Sequence, residues 1–163
     1  MARILLFGAY NVNYIPGEVV GWLQEYSRQG HEFLTGDGKI LDEAFHKTLS
    51  SIGATNVTIY AMDNARNNLF EFRVKKFLTS FNSENKTVAI SADDNSMLPY
   101  VICDVEKEQD IPLNREWYEF RDKQLIRDCD MAICIWDGEN KTASHMIQLL
   151  NIYNKPCYTF KVG

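Results

Sequence analysis

With 163 residues, 45% hydrophobic and 24% charged, the chain suits one compact domain with a sizeable core and no room for a second. A net charge of -5 and a pI near 5.2 exclude an extended phosphate-backbone footprint, so no nucleic-acid partner is expected, although a single nucleotide needs only a few local donors. The longest apolar runs fall far short of the roughly 20 residues that cross a bilayer, and residues 1–8 read as a first strand, not a secretion signal, which predicts a cytoplasmic protein with no membrane partner.

In chain order, a strand over residues 3–7 ends at Gly8-Ala9-Tyr10. Pro16 then opens a helix carrying Val19, Trp22, Leu23 and Tyr26 at helical spacing, with Gly30 as its stop. A short strand over 32–35 breaks at Gly36-Asp37-Gly38, and a second helix places Leu41, Phe45, Leu49 and Ile52 on one face before Gly53. A third strand covers 57–61, and the spacing of Phe70, Val74, Phe77 and Phe81 predicts a helix after Asp63-Asn64. Between 82 and 114 the pattern blurs: residues 88–90 and 100–103 are strand-like, separated by the turn-rich stretch 91–99, and one of them is expected to be the fourth sheet strand. A helix over about 114–128 holds Trp117, Phe120, Leu125 and Ile126. After it, Met131 to Trp136 form a continuous apolar run, the pattern of a strand covered on both faces. A further helix, with Met146, Leu149, Leu150 and Tyr153 inward, leads through Lys155-Pro156 to a last strand over 157–160. This alternation predicts an α/β fold, a Rossmann-like three-layer α/β/α sandwich with a mostly parallel sheet.

The stretch from Arg121 to His145 is where chemistry is expected. The buried strand stops at Asp137-Gly138, the glycine permits a sharp turn, and Thr142 is placed to cap the next helix. Small molecules bind at such strand-to-helix edges in open α/β sheets, and the Thr142 hydroxyl with the N–H groups of Ala143 and Ser144 would make an anion seat. Each candidate also has an ordinary reading. Gly8 and Tyr10 either hold a phosphate and stack a base or simply end a strand. Asp37 either bonds a ribose hydroxyl or is a turn Asp between Gly36 and Gly38. Asp42 is better explained as a first-turn acid favoured by the helix dipole. Arg121 suits bidentate phosphate recognition, with Asp122, Asp128 and Asp130 as alternative salt-bridge partners. Asp137 and Gly138 have the strongest positional case for lining a site. His145 lies beside the apolar stripe, partly exposed, as a ligand contact or a surface residue. His31 and His46 read as solvated, Trp22 and Trp117 as core, and the acidic run 104–110 as a solvated loop. Cys103, Cys129, Cys134 and Cys157 lack C-x-x-C spacing and read as reduced thiols; neither metal nor cofactor is expected.

Two stretches together resemble the SLOG superfamily, the Rossmann-like group that includes the LOG phosphoribohydrolases and nucleoside 2-deoxyribosyltransferase-like proteins. Thr35-Gly36-Asp37-Gly38-Lys39-Ile40-Leu41-Asp42-Glu43-Ala44 is similar to the group's G-D-A-x-G-x-D-x-A turn and helix start. Arg121 to Ile126, then Asp130 and Ile133 to Thr142, is similar to its R-N-x-x-M … A-D-x-x-I-A-F-W-D-G-x-S-x-G-T pattern. The resemblance implies a nucleotide-like small-molecule ligand and, by analogy, a homodimer. The departures bear on chemistry. Ile40 and Lys141 each replace a glycine, and His145 stands where the LOG motif P-G-G-x-G-T-x-x-E has its catalytic Glu. The deoxyribosyltransferase-like relatives are expected to carry a carboxylate nucleophile on this helix, and residues 143–150 contain none. Histidine can act as acid or base but does not replace a carboxylate that stabilises a glycosyl intermediate. The expectation is therefore a binding or sensing protein. The alternatives are an N-glycosidase or deoxyribosyltransferase-like enzyme using Glu18, Asp37, Glu139 or His145, and a partner-binding subunit with a vestigial pocket.

Overall fold

A computed structural model describes residues 1–62, 70–84, 87–92, 97–102 and 115–163. The described residues form an eight-stranded sheet flanked by four helices: β1 (Arg3–Gly8), α1 (Gly17–Arg28), β2 (Glu32–Thr35), α2 (Leu41–Ser51), β3 (Val57–Met62), β4 (Arg73–Asn82), β5 (Thr87–Ala92), β6 (Met97–Ile102), α3 (Arg115–Asp128), β7 (Met131–Trp136), α4 (Lys141–Ile152) and β8 (Cys157–Lys161). The strand order is β6-β5-β4-β3-β2-β1-β7-β8. The six strands from β4 to β8 in that order are parallel, and β5 and β6 add an antiparallel flank.

The layers follow from strand alternation. Ile4, Leu6, Phe33, Val57 and Ile59 point to one face and pack with Val19, Leu23, Phe45 and Leu49 of α1 and α2. Leu5, Phe7, Leu34 and Tyr60 point to the other and pack with Phe120, Leu125, Met146 and Leu150 of α3 and α4. Strands β1 and β7 lie inside the sheet with both faces covered, which is why each reads as an unbroken apolar run. The chain winds outward from β1 through β2 and β3, then returns to place β7 on the other side of β1. Between β1 and β7 the order reverses, and the crevice at the strands' carboxyl ends is where such folds hold ligands.

Four expectations need correcting. The segment with Phe70, Val74, Phe77 and Phe81 contains strand β4 instead of a helix. Its first half pairs with β3 (Thr58 with Arg73 to Met62 with Phe77), and its second half with β5 (Phe77 with Ala92 to Asn82 with Thr87). The four-residue step from Phe77 to Phe81 satisfies a two-residue repeat as well as a helical one, and both rings join the α3 side, while Val74 joins the opposite face. The fourth parallel strand is therefore β4, and both strand-like pieces beyond it, β5 and β6, run antiparallel. Pro99 sits within β6, at the sheet edge beside a register shift between Ala89 and Ile90, where a missing N–H is tolerated. Tyr153 ends α4 half-exposed instead of facing inward. His46, expected in solvent, is buried. The side chain of Trp117, Cys103 and the acidic run 104–110 lie outside the described residues.

Candidate functional site

At the carboxyl end of β1 the backbone is closely packed. Ala9 N donates to Ile135 O at 2.8 Å, and a Cβ on Gly8 would lie 1.9 Å from that same oxygen. The glycine is required by the approach of β1 to β7. At the end of β7, Asp137 turns its carboxylate back onto its own loop, accepting from Glu139 N at 2.9 Å and Asn140 N at 2.8 Å, and these bonds hold its carboxyl below the usual range. Gly138, at φ +87°, lies under the Lys161 side chain. The helix cap also differs from expectation. Asn140 Oδ1 accepts from Ala143 N at 2.9 Å, so Asn140 is the N-cap and Thr142 belongs to the first turn of α4. The competing Asn two residues earlier starts the helix sooner than the threonine would.

The loop from β2 to α2 and the middle of α3 build the polar centre. Arg121, buried on α3, bonds Asp37 Oδ1 through Nη1, and Asp122 Oδ1 through Nη2 at 3.0 Å and Nε at 3.3 Å. Asp42, in the first turn of α2, accepts from Gly38 N at 2.8 Å. Gly36 and Gly38 leave no space for a side chain: a Cβ at either would lie 2.9 Å from Asp42 Oδ2, and at Gly36 also 3.1 Å from the Arg121 guanidinium carbon. Three carboxylates thus surround one guanidinium. Burial raises the carboxyl pKa of Asp42 and of Asp122, with Arg121 opposing it in both. Beneath this loop Thr35 Oγ1 and His46 Nε2 share a 2.6 Å hydrogen bond, and burial lowers the imidazole to about 4, so it is neutral at pH 7.

Two neighbouring cavities open on this centre. The smaller, about 150 Å³, is lined by Gly8, Tyr10, Gly36, Asp42, Arg121 and Thr142 among others. The larger, about 400 Å³, is a groove between α3 and α4 with Met146 and Leu149 as its apolar wall and Glu119, Lys141 and His145 among its polar residues. Asp122, Thr142 and Met146 line both.

Of the sequence candidates, Gly8, Tyr10, Gly36, Arg121 and Thr142 meet in the small cavity, and His145 is an exposed residue of the groove. Asp37 stands behind, holding Arg121. Asp137, Gly138 and Ser144 line neither cavity. The first two are explained by their turn, and Ser144 N bonds Asn140 O within the helix start. Tyr10 is 70% exposed, so its ring forms an open rim. Asp42 and Asp122, read from sequence as a dipole acid and a salt-bridge partner, fill those roles and also line the cavity. The signal that identifies them is the pair of glycines in the preceding loop, Gly36 and Gly38, for Asp42 and the adjacent Arg121 for Asp122.

No protein-family model matches the chain, and no curated protein matches it. Among solved structures it is similar to the X-ray structure of TM1055, a structural-genomics target, with a TM-score of 0.53 at 13% identity over 96% of this chain and 72% of that one. That likeness is one of architecture: the chain has a Rossmann-like α/β fold.

Proposed function

We propose that the protein binds a nucleotide or nucleotide-derived small molecule at the carboxyl edge of the sheet, as a sensor or binding protein of the SLOG superfamily. One observation carries this reading. Gly36 and Gly38 from the first resembling stretch and Arg121 and Thr142 from the second, far apart in sequence, line a single cavity beside the β1–β7 reversal. Lys141 and Thr142 bring the first turn of α4 to the groove, and the positive dipole end there favours a ligand phosphate at the Lys141 end of the groove, outside the small cavity. Arg121 is already matched by Asp37 and Asp122, so it shapes the cavity more than it supplies free positive charge. By the same resemblance the protein acts in the cytoplasm as a homodimer, which light scattering at micromolar concentration checks.

Thermal denaturation with nucleoside mono-, di- and triphosphates and cyclic nucleotides tests the proposal. A ligand at 100 times its Kd adds about 2.7 kcal/mol and raises the melting temperature by several degrees. A panel in which no nucleotide moves the transition rejects the reading.

A second reading is favoured by a separate observation. Asp42 and Asp122 line the cavity with carboxyls raised by burial, the property a general acid needs in N-glycosidic cleavage. Release of free base from nucleoside monophosphates, abolished by Asp42→Asn or Asp122→Asn, would establish it over simple binding.

A further inference from the structure

The two cavities differ in chemistry, and the difference specifies how a ligand would lie. In the small cavity, one oxygen of each acid is engaged: Asp42 Oδ2 by Gly38 N at 2.8 Å, Asp122 Oδ1 by Arg121 at 3.0 and 3.3 Å. The other oxygens, Asp42 Oδ1 and Asp122 Oδ2, have no hydrogen bond among the described residues, and both acids line the same space of about 150 Å³. An ionised carboxylate only accepts, so with these acids ionised the group that fills this space must bring donors. A phosphate brings none and adds charge to a centre that already has Asp37, Asp42 and Asp122 against Arg121. An ammonium would bring donors but would sit against the Arg121 guanidinium. Neutral hydroxyls remain.

The groove has the opposite character. Met146 and Leu149 offer apolar surface and Thr142, His145 and Glu119 offer polar edges, in a slot of about 400 Å³ that shares Asp122, Thr142 and Met146 with the small cavity. The small cavity alone is below the roughly 300–1,000 Å³ typical of small-molecule sites, and the two together fall inside that range.

We infer that the two form one site divided by function: the free oxygens of Asp42 and Asp122 read the vicinal hydroxyls of a ligand's pentose, and the α3–α4 groove receives its planar base. This rests on the nucleotide reading above and extends it to a prediction of sugar selectivity. A site built to bond a hydroxyl discriminates strongly against the analogue lacking it, because its buried acceptor is left unpaired.

Calorimetric titration of the wild-type chain with matched ribo- and 2′-deoxyribonucleoside 5′-monophosphates of the four bases tests this without any variant. The expected result is tighter binding of the ribo form by about tenfold or more. Asp42→Asn and Asp122→Asn, each checked for native circular dichroism, are expected to narrow the ratio toward one. Leu149→Trp, which fills the groove, should weaken nucleotide binding while leaving the unliganded fold intact. Equal affinity for ribo and deoxyribo forms in the wild type would overturn the hydroxyl seat while leaving nucleotide binding standing. Absence of binding by every monophosphate would reject both the seat and the reading on which it rests. Undiminished affinity in Leu149→Trp would remove the groove from the site.

Discussion

The two ends of the sheet use the same ingredients to different effect. At the amino ends of the strands, Arg3 and Arg73 share Glu32, Arg73 also bonds Asn56 and Thr58, and Asp128 takes the Tyr60 hydroxyl with Lys75 close by. Cations there meet anions about evenly, and the cluster stays close to the surface. At the carboxyl ends one buried guanidinium meets three acids, two of which keep an oxygen unengaged beside a cavity. A balanced cluster holds strands in register. An unbalanced one, kept under a loop with no side chains at Gly36 and Gly38, leaves acceptor oxygens facing a cavity.

The contrast has measurable consequences, the largest at Arg121. Arg121→Met removes the charge that offsets Asp37, Asp42 and Asp122 and should destabilise the fold by about 3–5 kcal/mol in denaturant titration. A cost no larger than that of Arg73→Ala would abolish the distinction between the two ends.

Next in size is the pH response beneath the loop. The unfolded His46 protonates near its ordinary 6.5, whereas the folded one, desolvated and only partly helped by Glu43 and Asp37, resists until about 4. The unfolded chain therefore binds the extra proton between those values, and stability falls as pH drops from 6.5 to 4, by about 3 kcal/mol at most. Asp42 and Asp122, raised in the folded state, act in the opposite sense: they favour folding as they take up protons, and that contribution is lost as pH rises through their folded values. His46→Gln should flatten the acid limb of a stability-against-pH curve, and an unchanged limb would show that another group governs it.

Smaller effects test the helix start and the opposite end of the sheet. Asn140→Ala should cost about 1 kcal/mol as the loss of a cap, and Thr142→Ala within about 0.5 kcal/mol in the absence of ligand. The reverse order would restore Thr142 as the cap. Arg73→Ala, at a side chain 60% exposed, should cost less than about 1 kcal/mol despite its several partners.

Much of the architecture was legible in the sequence because strands covered on both faces and amphipathic helices leave different periods. Residues 32–35 and 131–136 matched their strands to the residue. The misreading at β4 came from a spacing of four, which both periods allow, and Lys75 and Lys76 within the strand gave the segment no unbroken apolar run. In the site, proximity along the chain misled. Asp137 and Gly138 occupy the expected strand end, but their bonds are local and they serve the turn. Asp37 needed a partner 84 residues away before its role as the anchor of Arg121 could be seen. Similarly, nothing in the sequence near His46 marks it as buried, because the hydroxyl that accompanies it lies on β2.

The glycines differ in what holds them in place. Gly8 is fixed by the Ile135 carbonyl oxygen, so related chains that have abandoned any ligand should still keep it. Gly36 is fixed by the side chains of Asp42 and Arg121, and Gly38 by Asp42 alone. Where a relative shortens or loses those two side chains, positions 36 and 38 become free to vary, and joint drift there would mark the lineages that have lost the Asp42–Arg121 packing.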